Sequence, residues 1–188
     1  MILSIFIRGK EFYVYTNTGI SQIFTVSESR YLADNVVSFL ASVLKNDKLK
    51  KVIYSAGPGS FTTVRIINSI LKGLYISDSS IEFIGVSNFL TYLSVVSKIS
   101  NEGTIAIPTM RGDYFTCTYN EQILREQNIQ NINEYSSNIY EDNNKVFENV
   151  NLAKIQNDIL NSEFSPLNKK YIYSKIEINY GFTPEYKH

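Results

Sequence analysis

The sequence has very few of the side chains that most metal sites and nucleophilic sites need. Its 188 residues contain one histidine, His188, one cysteine, Cys117, and no tryptophan. A Cys–His nucleophile pair or a metal site with several histidines is therefore nearly excluded by inventory. A lone cysteine forms no internal disulfide, which fits a reducing compartment. Because no base stands beside Cys117 in its strand-like run, we expect a buried structural thiol.

Excess charge and long apolar runs are also missing. Lys+Arg 18 balances Asp+Glu 18, which argues against a protein that grips nucleic acid by itself, because phosphate binding needs clustered positive charge. The positive charge of Arg8 follows the apolar run at residues 2–7, whereas in a secretory signal the positive charge precedes the apolar run, so we expect no secretory signal. No apolar run approaches the roughly 20 residues of a membrane span. With 44% hydrophobic and 19% charged residues, the composition predicts a folded cytoplasmic protein.

Strand and helix signals alternate over the first 120 residues. The patterns predict strands at 2–7, 11–16, 20–26, 50–55, 82–86, 104–108 and 114–119, and helices at 29–45, at 61–76 and from Ser87 to about Lys98. The order βββαβαβα is that of an actin-like half (the ASKHA, ribonuclease H-like topology), so the predicted fold class is α/β. The composition changes after Asn120. We therefore predict an N-terminal lobe at 1–98 and a reduced C-terminal lobe at 99–188, with a helix at 151–160 and a strand at 170–178.

Two predicted helices are apolar on more than one face. In the helix at 29–45, the first face has Leu32, Val36, Phe39, Leu40 and Val43, and the second has Ala33, Val37, Ala41 and Leu44. The helix at 61–76 has a second apolar face made of Ile66, Ile70 and Gly73, where the glycine permits close approach of another helix. A helix that is apolar on two sides is usually buried on two sides. The pattern leaves open whether a partner protein or the chain's own core covers the second faces.

Residues 56–60 (AGPGS) lie between a predicted strand and a predicted helix, an arrangement that many proteins use to bind phosphate. The Walker motif requires a lysine that the run at 60–62 (SFT) lacks, and the dinucleotide motif requires a glycine where Thr62 stands. The residues therefore favour a structural turn over a nucleotide cradle, with Ser60 as the helix cap. Arg65, one turn inside the helix, is expected to hold the loop through hydrogen bonds to carbonyls or a carboxylate.

The segment GPGSFTTVRI, at 57–66, resembles the GPGSFTGxRIG signature of the TsaB (YeaZ) family. Family members belong to the bacterial machinery that makes N6-threonylcarbamoyladenosine beside the tRNA anticodon. The run IGVS at 84–87 and the residues at 112–115 resemble two further family segments. The clear resemblance extends from residue 1 to about residue 120. The matching positions of the signature are Gly57, Pro58, Gly59, Ser60, Phe61, Thr62, Arg65 and Ile66.

The resemblance implies an accessory subunit without catalytic residues of its own. Such a subunit would form a heterodimer with TsaD, which carries the metal and the transfer chemistry, and would reach a TsaE-like ATPase through the complex. It would meet tRNA only indirectly, and ATP and metal would be bound by the partner subunits. Family members use helices of the N-terminal lobe to bind the partner, which assigns the interface to Ala33, Val37, Ala41, Leu44, Ile66, Ile70 and Gly73. Self-association into a homodimer is the other role open to these faces.

Departures from the family pattern concern mainly the acidic positions. Phe6 stands where the family has an aspartate at the end of the first strand, and Pro108 stands at the second acidic position. Since metal-bound phosphate sites need such carboxylates, we expect neither a metal site nor a nucleotide site in this chain, and we reject a metal-dependent glycoprotease. Thr63 and Ile67 replace family glycines and are expected to make the helix surface bulkier. The alternatives to an accessory subunit are an actin-like nucleotide-binding kinase or hydrolase and a self-associating, decayed homologue.

The C-terminal region alternates tyrosine with lysine. Tyr171 and Tyr173 lie among Lys169, Lys170 and Lys175. Aromatic and basic side chains in alternation are found on surfaces that bind single-stranded RNA. A solvated strand edge explains the same pattern, and we favour that interpretation.

Overall fold

Two β-sheets and four α-helices form the part of the chain that the computed structural model describes. That part is residues 1–25, 32–44, 48–109, 112–130, 138–141, 145–162, 168–174 and 176, without the side chains of Leu32, Ala33 and Gln130. The strands are β1 (Ile2–Arg8), β2 (Glu11–Thr16), β3 (Ser21–Thr25), β4 (Lys51–Ser55), β5 (Glu82–Val86), β6 (Glu102–Pro108), β7 (Tyr114–Asn120), β8 (Ile123–Gln130), β9 (Ile139–Glu141) and β10 (Ile172–Tyr173). The helices are α1 (Leu32–Val43), α2 (Phe61–Ser77), α3 (Asn88–Val96) and α4 (Leu152–Leu160), with 3-10 turns at Lys145–Phe147 and Lys169–Tyr171.

The larger sheet has six strands in the order β10-β5-β4-β1-β2-β3. The first three strands form antiparallel hairpins, while β1, β4 and β5 run parallel. Parallel neighbours need crossover connections, which α1 and α2 provide. This is the βββαβαβα order that the sequence predicts, and each predicted strand and helix up to Asn120 has a counterpart among the described residues. Residue 26 of the predicted third strand and residues 29–31 and 45 of the predicted first helix lie outside the described residues.

Opposite faces of β1 belong to two different hydrophobic clusters. Leu3, Ile5 and Ile7 lie in one cluster with residues of α1 and α2, whereas Phe6 lies in the other with residues of α3 and α4. Successive side chains of a strand point to opposite faces of its sheet. Because both faces are covered by helices, β1 is apolar almost throughout.

The smaller sheet has four strands in the order β8-β7-β6-β9. Strands β6 and β7 were predicted and β8 and β9 were not, because β8 is polar at most of its positions and β9 has only three residues. The late strand predicted at 170–178 is limited, within the described residues, to Ile172–Tyr173. An outer strand with weak hydrophobic alternation is difficult to predict from sequence periodicity.

Helix α4 connects the C-terminal part of the chain to the larger sheet. It packs against β1, β2, β4 and α3. Its cap, Asn151, accepts hydrogen bonds from the N–H groups of Ala153 and Lys154 and donates Nδ2 to the carbonyl of Val14 at 3.0 Å. One cluster therefore contains Phe6 together with Cys117, residues on the two sides of the predicted boundary at residue 98. Among the described residues, none of the helices has the length and hydropathy needed to span a membrane.

Candidate functional site: the glycine loop and the adjoining helix surface

The loop between β4 and α2 is held by the side chain of Asn88, the first residue of α3. Asn88 donates its backbone N–H to the carbonyl of Gly57 and its Nδ2 to the carbonyl of Pro58, each at 2.8 Å. The hydroxyl of Ser55 donates to Oδ1 of the same side chain. Gly57 has a φ of 88°, a conformation that favours glycine. Two carbonyls of the loop thus accept hydrogen bonds from Asn88.

Two hydroxyl groups lie together at the N-terminus of α2. Ser60 is the cap of α2 and accepts a hydrogen bond from the N–H of Thr63 at 3.2 Å, while the two hydroxyl oxygens lie 2.7 Å apart. The cap is the one that the sequence predicts. Thr63 and Ile67 are both buried, so the expectation that they make the helix surface bulkier was wrong. Their side chains point into the protein.

Arg65 does not hold the loop in the way that its position suggests. Its guanidinium carbon lies 4.1 Å from the centre of the Phe61 ring, in a cation–π contact on an exposed part of α2. Asn88 holds the loop carbonyls instead. The residue pattern did not single out Asn88, although one signal was present: a polar residue begins a helix whose every residue is buried. Phe61 and Thr62 are exposed on the first turn of α2. Gly59 is half-buried, and a Cβ added there would lie 3.5 Å from Nδ2 of Asn88.

Phe6 stands at the position where the resemblance leads us to expect an aspartate. The side chain is fully buried, and its ring makes edge contacts with Tyr13 and Tyr92, with 5.9 Å between ring centres in each pair. Tyr92 in turn lies 4.7 Å from the ring of Phe147. Aromatic packing thus occupies the space where a carboxylate would lie. Pro108 is exposed at the end of β6.

No cluster of three or more His, Cys, Asp or Glu side chains in the described part of the chain is arranged to hold a metal ion. His188 lies outside the described residues.

Cys117 is a buried thiol at the centre of β7. Burial raises its pKa to about 12, so the reactive thiolate is scarce at neutral pH. We expect a thiol reagent at pH 8 to modify the folded protein at least about 100-fold more slowly than the urea-unfolded protein. Timed mass spectrometry of the modified chain checks this. Similar rates in the two states would contradict the buried position.

The predicted interface residues divide into exposed and buried positions. Val37 is 57% exposed, Ala41 and Gly73 are also exposed, and a Cβ added at Gly73 would meet nothing within 4 Å. Leu44 and Ile66 are half-buried against the core.

Ile70 lies in the chain's own core, where it is only 9% exposed. It is therefore removed from the predicted interface, because a side chain covered by its own fold has little surface left for a partner. The side chain of Ala33 lies outside the described part of the structure. Near the end of α2, Tyr75 and Ile76 are 51% and 84% exposed, and neither was among the predicted interface residues.

The fold and the loop define an α/β protein of actin-like class. The structure of YeaZ from Pseudomonas aeruginosa is similar to it, with a TM-score of 0.56 and 13% sequence identity over 73% of this chain and 70% of that one. A second structure, of an uncharacterised protein with similarity to the peptidase YeaZ from Pseudomonas aeruginosa, has a TM-score of 0.54 and 14% identity over 74% of each chain. No family model and no curated protein matches the sequence. The resemblance carried by the GPGSFT motif is confirmed at the level of the fold.

Proposed function

We propose that this chain is a non-catalytic accessory subunit of the TsaB type. It binds a TsaD-like subunit and supports threonylcarbamoyl transfer to the adenosine next to the tRNA anticodon. The observation that carries the proposal is the GPGSFT segment, whose Ser60 caps α2 within a fold similar to that of YeaZ. In this role ATP and metal are bound by the partner subunits, a TsaE-like ATPase acts through the complex, tRNA is met through the partner, and the site of action is the cytoplasm.

The fully buried Phe6 ring supports a role without phosphate chemistry. A divalent metal with bound phosphate needs carboxylate or carbonyl oxygens around it. The side chain at the first family aspartate is instead part of an aromatic cluster with Tyr13 and Tyr92. The proposal therefore places transfer chemistry on the partner and gives this chain a scaffolding role. It also sets aside peptidase activity, which the name of one similar structure mentions.

The exposed apolar side of α1 supports a protein partner. Val37 and Ala41 lie one helical turn apart and both are exposed, and Leu44 continues the same side one turn further. Apolar side chains that lie together at the surface are typical of interfaces. We assign the TsaD-like partner to this side of α1 and to the exposed part of α2 around Gly73.

The test is to co-purify the chain with the TsaD-like subunit of its own organism and to measure the complex by light scattering. Val37→Asp should weaken the heterodimer by at least about tenfold, because it places a charge in an apolar contact. Stability should change by less than about 0.5 kcal/mol, since the side chain is exposed. Ile99→Asp is the matched control, because Ile99 is 59% exposed and follows α3, on the other side of the larger sheet.

Absence of a complex with the unaltered chain would contradict the proposal. Equal weakening by both substitutions would contradict the assigned surface. A dimer of this chain alone, unaffected by adding the TsaD-like subunit, would favour the self-associating alternative.

A further inference from the structure

A shallow surface cleft of about 330 Å³, wide open to solvent, lies where the two sheets meet at their outer strands. Residues of β8, the outer strand of the smaller sheet, form one wall, and residues from the Lys169–Tyr171 turn and β10 form the other. The lining residues are Arg125, Gln127, Lys170, Tyr171 and Tyr173. This cleft is distinct from the glycine loop and from the exposed side of α1.

The cleft brings together two positive charges that lie far apart in the sequence. Arg125 and Lys170 are both exposed, and among the described residues neither lies within 4 Å of an acidic oxygen. The chain has no net charge, so the positive character here is local. Two cations that line one cleft, with no acidic oxygen within 4 Å among the described residues, attract an anion more strongly than either cation alone.

Hydrogen bonds hold the two walls of the cleft in place without a ligand. Asn168 is buried, and its Oδ1 accepts the N–H of Leu124 at 3.1 Å while its Nδ2 donates to the carbonyl of Gln122 at 3.0 Å. These bonds tie the start of β8 to the turn that carries Lys170. The carbonyl of Tyr171 accepts the N–H of Ser87 at 3.0 Å, which ties the same turn to the end of β5. A site that is already ordered loses less entropy on binding.

The aromatic residues set the geometry of the cationic wall. The ammonium of Lys170 lies 4.9 Å from the centre of the Tyr171 ring, and Tyr171 itself is buried. The Tyr171 ring therefore makes a cation–π contact with Lys170. Tyr173, which also lines the cleft, is half-buried. The side-chain amide of Gln127 adds a neutral donor to the lining.

We propose that this cleft binds a phosphate group of a nucleotide, held by the guanidinium of Arg125 and the ammonium of Lys170. Planar guanidinium groups suit phosphate oxygens, and an ammonium adds a compact charge. The phosphate can belong to a free mononucleotide or to a single strand of RNA. This inference goes beyond the proposed function, in which the chain meets tRNA through its partner, and it does not rest on that function.

The test is calorimetric titration of the isolated full chain at low salt with three ligands: inorganic phosphate, AMP and a short single-stranded RNA. The double variant Arg125→Gln/Lys170→Gln should bind AMP and the RNA at least about tenfold more weakly than the unaltered chain. For the RNA, the slope of log affinity against log salt should fall by about 2, because the variant has two fewer cations to pair with phosphates. Tighter binding of the RNA than of AMP would identify the strand as the source of the phosphate.

The matched control is the double variant Lys72→Gln/Lys98→Gln. It removes the same charge from two exposed lysines outside the cleft, so it should change the affinity by less than about threefold. All four side chains are exposed, and a thermal melt of each variant verifies that the fold is kept. Failure of the unaltered chain to bind AMP and RNA at millimolar concentration would overturn the proposal, as would equal losses in both double variants. Binding of inorganic phosphate alone would overturn the assignment to a nucleotide.

Discussion

Replacing Phe6 with aspartate is expected to lower the free energy of unfolding by about 4 kcal/mol or more, which is enough to unfold a domain of ordinary stability. The substitution removes a fully buried ring from its contacts with Tyr13 and Tyr92. It also places a carboxyl group in an apolar cluster. Urea unfolding followed by circular dichroism measures the loss.

The pH dependence of the aspartate variant follows from the same burial. An apolar environment raises the pKa of a carboxyl group above its value in the unfolded chain. The protonated form is tolerated better, so stability is greatest below the unfolded pKa and is lost as pH rises through the folded pKa. The deficit relative to the unaltered protein should therefore grow between about pH 4 and pH 7.

Phe6→Leu is the matched control for the loss of the ring. It keeps an apolar side chain of smaller volume, and we expect a cost of about 1–2 kcal/mol with little dependence on pH. A folded Phe6→Asp protein that gains magnesium-dependent nucleotide binding would contradict a purely scaffolding role for the fold. It would show that the surroundings of a phosphate site persist, and it would favour the kinase or hydrolase alternative.

The fold up to Asn120 could be predicted from the sequence because each element there carries its own local signal. The β1–β2–β3 hairpins show short apolar runs divided by turn residues, and α2 has a cap at Ser60 and an apolar stripe. Strand β8 has no such signal, since an outer strand with solvent on one side can be polar at most positions. Its pairing with β7 is fixed by contacts between segments, which periodicity does not detect.

The candidate site was harder to predict than the fold, because its contacts join residues that are distant in sequence. Asn88 reaches the carbonyl of Pro58, 30 residues earlier. Likewise, the apolar pattern of α2 gave Ile70 and Ile66 one face, yet Ile70 is covered by the chain's own core. A helical pattern shows which residues share a face, but it does not show what covers that face.

Replacing Asn88 with alanine is the second change for which we expect a large effect, a loss of about 2–4 kcal/mol in the free energy of unfolding. The truncation leaves the hydroxyl of Ser55 and the carbonyl of Pro58 without their partner, and both residues are buried. Buried polar groups that lose a partner cost more than the lost bond itself, because water does not replace it. Amides of the loop and of the first turn of α2 should also exchange with solvent faster.

Ser87→Ala is the matched control, because Ser87 is an adjacent buried polar residue whose side chain makes no capping hydrogen bond. It should cost less than about 1 kcal/mol. If the Asn88 variant is no less stable than this control, then the loop conformation is set without help from the Asn88 side chain. If the predicted difference is found, the GPGSFT segment and the run IGVS at 84–87 stabilise each other, because Asn88 directly follows that run and bonds to Pro58. The conformation of the loop that leads into α2 then depends on a single amide side chain.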